Sequence, residues 1–226
     1  MKNKIAIVAV VLTAAYSGLS QGEVEFQNST AAKISVNTAA ALTTFTSISG
    51  AGNYYFALFN SVSDSSVAGV GTVAEIPSGT TAGSYVFSDS NWTFDGYGVS
   101  ATKAGTFAAT TLDSAQFTQI PGEPASTYLV VVGWSANIGS TVASLESFLA
   151  GTDSGVTSGF VGESSVSGLF NTGTAGSSSP PSAVFGSTSP AIPGFDIGYY
   201  QVPEPSTIAL GVMGAASLLA LRRKKA

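Results

Sequence analysis

Thr127-Tyr-Leu-Val-Val-Val-Gly-Trp-Ser-Ala136 is a ten-residue run without a charge or a proline. In an extended chain Tyr128, Val130, Val132 and Trp134 share one side, and Leu129 and Val131 share the other. A strand apolar on both sides belongs inside a sheet whose two faces are covered. Tyr54-Tyr-Phe-Ala-Leu-Phe59 has the same character and predicts a second central strand.

Around these two lie shorter runs. Val24 and Phe26 alternate with Glu25 and Gln27, and Ile34 and Val36 alternate with Lys33, Ser35 and Asn37, as in half-buried strands. Further strands are expected at Val67–Ile76, Tyr85–Phe87, Trp92–Val99, Thr106–Thr111 and Phe195–Val202. One segment departs from the period of two. Ile138, Val142, Leu145 and Leu149 recur at helical spacing, with Ser140 as a candidate N-cap and Gly151 at the stop position. This predicts one helix over 141–150. Residues 171–194 contain Ser177-Ser-Ser-Pro-Pro181 and two later prolines, and read as a long loop. Many short strands separated by turn signals predict a mostly β fold, an antiparallel β-sandwich-like single domain over 23–202 with one short helix.

The two ends of the chain carry a different pattern. Lys2 and Lys4 precede the apolar run Ile5–Ala15, the layout of a secretory signal peptide over residues 1–22. Cleavage after Ser20 or after Gly22 would each place small residues at the −1 and −3 positions. Eleven apolar residues are too few to span a bilayer comfortably, which weighs against an uncleaved anchor.

At the other end, Pro203 and Pro205 fix φ near −65° and remove two backbone donors, so Val202-Pro203-Glu204-Pro205 is extended. Residues 206–221 are uncharged. As a helix they would rise roughly 24 Å, short of the ~30 Å hydrocarbon core, which by itself would also suit a buried helix. Arg222, Arg223, Lys224 and Lys225 decide for a transmembrane helix: they can snorkel to the interface, and a positive cluster marks the cytoplasmic side. Gly211 and Ala215 have a spacing that lets helices approach closely, although small residues are common in such spans.

Val202-Pro203-Glu204-Pro205, a short apolar span and a terminal basic cluster, in that order, resemble the PEP-CTERM sorting signal of bacterial exported proteins. The resemblance implies an exosortase-type membrane peptidase as processing partner, cutting near Pro-Glu-Pro, and residence at the cell envelope, the surface or the extracellular matrix. It implies nothing about catalysis. The body resembles other proteins of this class more loosely, in Phe26-Gln27-Asn28 after the signal, an aromatic strand near Tyr55, and a Trp134 strand followed by a helix.

Composition narrows the function of residues 23–202. Two cations, Lys33 and Lys103, stand against twelve acids, a net charge of −10. Such a surface repels phosphate backbones, so nucleic acid is not an expected partner. The chain has no Cys and no His. Disulfides, Ser-His-Asp and Cys-His nucleophile systems and the common zinc sites are therefore excluded, and no cofactor is expected.

Asp89, Asn91 and Asp95 beside Gly96 could offer oxygen ligands to Ca²⁺, but Thr93 interrupts the EF-hand pattern; an Asx-rich turn is the plainer reading. Twelve acids supply many carboxylate pairs, none set in a recognisable glycosidase cleft. Trp92, Tyr97 and Tyr54 could stack on sugar rings if exposed, or pack a core if not. Asn28-Ser-Thr30 and Asn91-Trp-Thr93 match the N-glycosylation pattern, which short sequences meet by chance. The expected protein is a non-enzymatic surface or extracellular-matrix protein. A carbohydrate (exopolysaccharide)-binding surface module is the alternative, and a glycoside hydrolase comes third. An exposed row of aromatics on one sheet face would favour the alternative over the first.

Overall fold

The computed structural model of the chain describes residues 22–38, 41–67, 85–109, 118–120, 126–152, 155–174 and 182–202. These residues are mostly β with one α-helix. In chain order the elements are β1 (Gly22–Val24), β2 (Ser35–Thr38), β3 (Ala41–Ser47), β4 (Tyr54–Ser61), β5 (Thr93–Ser100), β6 (Phe107–Ala109), β7 (Thr118–Ile120), β8 (Ser126–Ser135), α1 (Val142–Leu149), β9 (Ser158–Glu163), β10 (Phe170–Asn171), β11 (Gly173–Thr174) and β12 (Asp196–Gln201). Two 3-10 turns, Val86–Ser88 and Ala136–Ile138, precede β5 and α1.

Nine strands form one sheet in the order β3-β2-β12-β9-β8-β4-β5-β6, with β10 pairing to the outer end of β8; β11-β1-β7 form a second, three-stranded sheet. Among the described residues the strands form one large sheet and one small one, and the expected β-sandwich is not confirmed. Among the named strand pairs of the described residues β12 with β2 is parallel, a local departure from the expected antiparallel architecture.

Both faces of the large sheet are covered, because its central strands are apolar on both sides. The β8 strand pairs with β4 from Tyr54↔Ser135 to Ser61↔Tyr128. On one face, Phe56 and Leu58 of β4, Leu129 and Val131 of β8 and Ile197 of β12 meet Val24, Phe26 and Ile120 of the small-sheet side. On the other, Ala57, Phe59, Val130, Val132 and Trp134 meet Leu145, Phe148 and Leu149 of α1.

Two glycines make room for the aromatic layer. A Cβ at Gly133 would lie 2.9 Å from the Phe56 ring, and one at Gly98 would lie 2.7 Å from Phe107. Those two rings stack with centroids 4.4 Å apart.

Polar side chains continue the ladders where regular pairing ends. Beyond Glu163 the regular pairing ends but the chain stays beside β8: the amides of Ser164 and Ser167 donate to the Val131 and Leu129 carbonyls, and their hydroxyls accept from the Val131 and Leu129 amides at 3.0 and 2.9 Å. Asn37, expected on the solvent side of its strand, is buried, and its Oδ1 accepts from the Tyr199 amide at 2.8 Å just beyond the parallel pairing. Asn28 is likewise used up: Nδ2 donates to the carbonyls of Ala32 and Gly105, and Oδ1 accepts from the Phe107 amide.

The helix sits where its spacing placed it, with corrected ends. Its N-cap is Thr141, whose side chain accepts from the Ser144 amide, and not Ser140. Ile138 belongs to the preceding 3-10 turn, though it packs on the same cluster as the helix. Gly151 ends the segment at φ 67°, a conformation that favours glycine.

Tyr85–Phe87, expected as a strand, is the start of a 3-10 turn, with the Tyr85 and Phe87 rings stacked at 5.1 Å. The expected loop 171–194 holds short pairings, and it sends Val184, Phe185 and Ile192 into the first core. Beyond Val67, the expected strand to Ile76 lies outside the described residues, as do the signal segment up to residue 21 and the tail 203–226. Among the described residues no helix is long and apolar enough to cross a membrane; the expected span 206–221 is not among them.

Candidate functional site

The Asx-rich stretch resolves into two separate arrangements. Asp89 Oδ1 accepts from the Asn91 amide at 3.0 Å, closing an Asx turn. Asn91 Nδ2 reaches Asp64 Oδ2 at 3.3 Å. Asp64 in turn caps its own loop, accepting from the Ser66 amide and hydroxyl, and these bonds hold its carboxyl below the usual range. Asp95 points elsewhere. It is the extra residue of a bulge, since Phe59 pairs with Phe94 and Leu58 with Gly96. Its Oδ1 accepts from Asn60 Nδ2 at 2.6 Å. Burial raises the Asp95 carboxyl well above the usual range, and the Asn60 bond opposes that shift. Among the described residues no three carboxylates gather as a metal site would require.

The sugar-stacking candidates turn inward. Trp92 is buried, and its Nε1 donates to the Ser66 carbonyl. Tyr97 is half-buried and its hydroxyl accepts from the Val142 amide at 3.1 Å, tying α1 to β5. Tyr54 packs against the first core. The exposed large apolar side chains among the described residues are Val62, Phe94 and Leu169, only one of them aromatic.

A site that sequence reasoning missed lies at the end of β9. Glu163 was counted only among the acids, yet it is 2 % exposed. β9 pairs Glu163 with Val132 of β8, which aims the carboxyl at the α1-side core. Its Oε2 accepts from the Val86 amide at 2.9 Å and so fastens the 3-10 turn to the sheet. Its Oε1 has no hydrogen-bond partner among the described residues, and neither has the buried Tyr85 hydroxyl.

Burial raises the carboxyl to about 7, against the opposing pull of the Val86 bond. The Tyr85 hydroxyl is raised by burial first, then by the nearby oxygens of Tyr200 and Glu163. A cavity of about 210 Å³ opens beside Glu163, between residues 65–67 and 163–166. The one sequence signal was an acid in step with Val161 on a two-residue period, in the run Gly159-Phe-Val-Gly-Glu163.

This acid has a measurable consequence. Its folded-state value near 7 exceeds the ordinary 4.5, so the folded form holds a proton that the unfolded chain releases first. The associated stability is complete below about pH 4.5 and is lost as pH rises to 7, about 3 kcal/mol in all. Urea denaturation at pH 5 and pH 8 should show that loss in the wild type. Glu163→Gln should remove most of it and should be the more stable form at pH 8. The same pH dependence in both proteins would contradict a buried, neutral Glu163.

The last described residues connect the body to the tail. β12 ends at Gln201, and the Val202 amide donates to the Thr157 carbonyl at 3.0 Å. Val202 is half-buried against the α1-side core. Pro203 is the next residue, so no spacer separates the fold from Pro-Glu-Pro.

The family model of the PEP-CTERM protein-sorting motif matches residues 201–224. No curated protein and no solved structure matches the chain. The motif supports a protein that is exported, processed by exosortase at the membrane and anchored to the cell surface.

Proposed function

We propose that residues 23–202 form a non-catalytic surface or extracellular-matrix protein delivered by its own C-terminal signal. In this reading residues 206–221 hold the chain in the membrane, Arg222–Lys225 stay on the cytoplasmic side, and exosortase acts near Pro203–Pro205. The observation that carries it is the match of the sorting motif to 201–224.

Two features of the body support the non-catalytic part. Among the described residues Trp92, Trp134 and Tyr200 are buried, so these three aromatics serve the cores. The three carboxyls raised by burial, Asp95, Glu163 and Asp196, are each held by a hydrogen bond on a different element: Asn60 of β4, the turn at Val86 and Ser35 of β2.

The orientation is tested with protease on intact spheroplasts of a strain that lacks exosortase. The body should be degraded and a fragment with the cationic end spared, because cations resist translocation. In an exosortase-positive strain the body should be recovered from envelope and polymer fractions, without hydrolysing the host's exopolysaccharide. A body protected in spheroplasts, or one that depolymerises the matrix, would overturn the reading.

A further inference from the structure

We propose that the end of the large sheet that carries Val202 is a membrane-docking surface. There the half-buried rings of Tyr54, Phe160 and Tyr199 settle on lipid headgroups while the tail holds the chain in the bilayer. This rests on residues 206–221 being membrane-embedded, as proposed above.

The placement follows from register. Gln201 pairs with Ser158 and Tyr199 with Phe160; Trp134 pairs with Val161, and Ser135 with Tyr54. Tyr199, Phe160, Ser135 and Tyr54 therefore stand in one row across β12, β9, β8 and β4, at the end where Val202 leaves the fold. The Phe160 amide donates to Ser135 Oγ at 2.9 Å, which fixes the row where the ladder stops. Tyr54 is two residues from Phe56 and Tyr199 two from Ile197, so the row shares the face of the first core. Tyr54 and Phe160 pack at the margin of that core, and Phe160 meets Tyr199 edge to face at 5.6 Å.

The row is not closed over. All three aromatic residues are half-buried. Among the described residues no group bonds the Tyr54 or Tyr199 hydroxyl, and neither is buried without a partner as that of Tyr85 is, so both tips reach solvent. A packed ring with a wet tip has the character of aromatics at a membrane interface.

The occupant follows from the length of chain beyond Val202 and from charge. From Val202 to Ser206 the chain reaches at most about 14 Å, and the interfacial layer on one side of a bilayer is roughly 5–8 Å thick. The span is about 6 Å shorter than the hydrocarbon core, which draws Val202 closer still. The row lies three residues, about 10 Å, back from Val202. A lean toward this face lays the rings on the headgroups within the same tether. Residues 48–54, 100–107, 135–141, 157–160 and 199–202 make this end and contain no acid, although residues 23–202 carry twelve. The Tyr54 amide donates to Ser100, the last residue of β5, and exposed Lys103 lies in the hairpin that follows toward β6. It is one of two cations in the body. Anionic headgroups are attracted here and repelled where the acids stand.

Full-length ¹⁵N-labelled protein would be placed in nanodiscs of phosphatidylethanolamine and phosphatidylglycerol doped with a lipid that carries a paramagnetic headgroup. The amides of Asn53, Tyr54, Phe160 and Tyr199 should lose most of their intensity. Those of Ser61 and Tyr128, about 23 Å away at the other end of β4 and β8, should keep theirs. A Gly/Ser spacer of about ten residues between Val202 and Pro203, roughly 17 Å root-mean-square, frees the body from its short tether. The loss should persist in that chain, because the surface itself holds the body down, and should disappear when Tyr54→Ser and Tyr199→Ser are added. If the double variant lost its dispersed spectrum, the spacer chain alone would decide. Three results would each overturn the docking surface: no loss at the row (the outcome if a second copy or a polymer covers the rings instead), a loss relieved by the spacer, or a loss that survives in a folded double variant. A chain that does not stay in the nanodiscs would instead refute the membrane reading of residues 206–221, and the docking surface with it.

Discussion

Replacing both Pro203 and Pro205 with alanine should leave the protein full-length and membrane-bound, with processing almost abolished. Val202 is pinned by its bond to Thr157, and the motif starts one residue later. No residue separates Val202 from the motif, and an extended segment is what a recognition groove takes. The two prolines hold it extended by fixing φ and by barring helix. Each proline-to-alanine change removes a penalty of about 3 kcal/mol against helix, so the apolar segment can extend backwards over Glu204 and withdraw the motif. Serine at positions 222–225 acts at the other end and should weaken membrane retention, since nothing would then hold a short span at the cytoplasmic face. Immunoblots of membrane and medium fractions in the native host separate the two effects. If the proline variant were released as efficiently as wild type, Pro-Glu-Pro would be a linker and the processing role assigned to it would fail.

Which parts of the body could be read in advance depended on how much of their environment lay within the strand itself. β4 and β8 carry apolar residues on both sides, so their own composition states that both faces are covered. The helix was legible because Val142, Leu145 and Leu149 repeat at its period; only its cap moved, since Thr141 stands one residue nearer the Ser144 amide. β9 was missed. Its two glycines weaken the strand pattern, yet contacts with other elements require them: a Cβ at Gly159 would strike Ile138 at 2.6 Å, and one at Gly162 would strike the Asp196 carbonyl at 2.4 Å. β3 was missed because its Thr-rich run Ala41-Leu-Thr-Thr-Phe-Thr-Ser47 has little alternation to detect. Tyr85–Phe87 misled because a three-residue apolar run suits strand and turn alike. The turn wins where Glu163, 77 residues away, holds the Val86 amide. That distance also explains why the site was invisible. An acid announces its charge in the sequence, but its burial is decided by the elements that fold over it. The sorting tail is the opposite case, since its parts are adjacent along the chain and need no fold to be read.

Trp134→Ala should be the most damaging single change in the body. The indole is fully buried at the end of β8, in the core that α1 covers. Its ring lies 6.3 Å from Tyr55 and 6.4 Å from Tyr97 between centroids. Its Nε1 donates to the Gly139 carbonyl at 2.7 Å, in the turn that delivers the chain to Thr141 and the helix. Truncation opens a large cavity and also strips the Gly139 carbonyl of its donor. Cavity formation at a buried tryptophan costs about 3–5 kcal/mol, a large share of the roughly 5–15 kcal/mol that holds a domain together. Trp134→Phe refills much of the space and leaves the carbonyl unpaired, so it should cost about 1–3 kcal/mol. Urea denaturation monitored by circular dichroism would rank the two. A loss below about 1 kcal/mol for the alanine variant would mean that the helix-side core tolerates collapse, contrary to the packing described. In the cell the alanine variant should also accumulate less at the surface while its intact tail is still processed, because a body that opens more often is degraded more often before it is sorted.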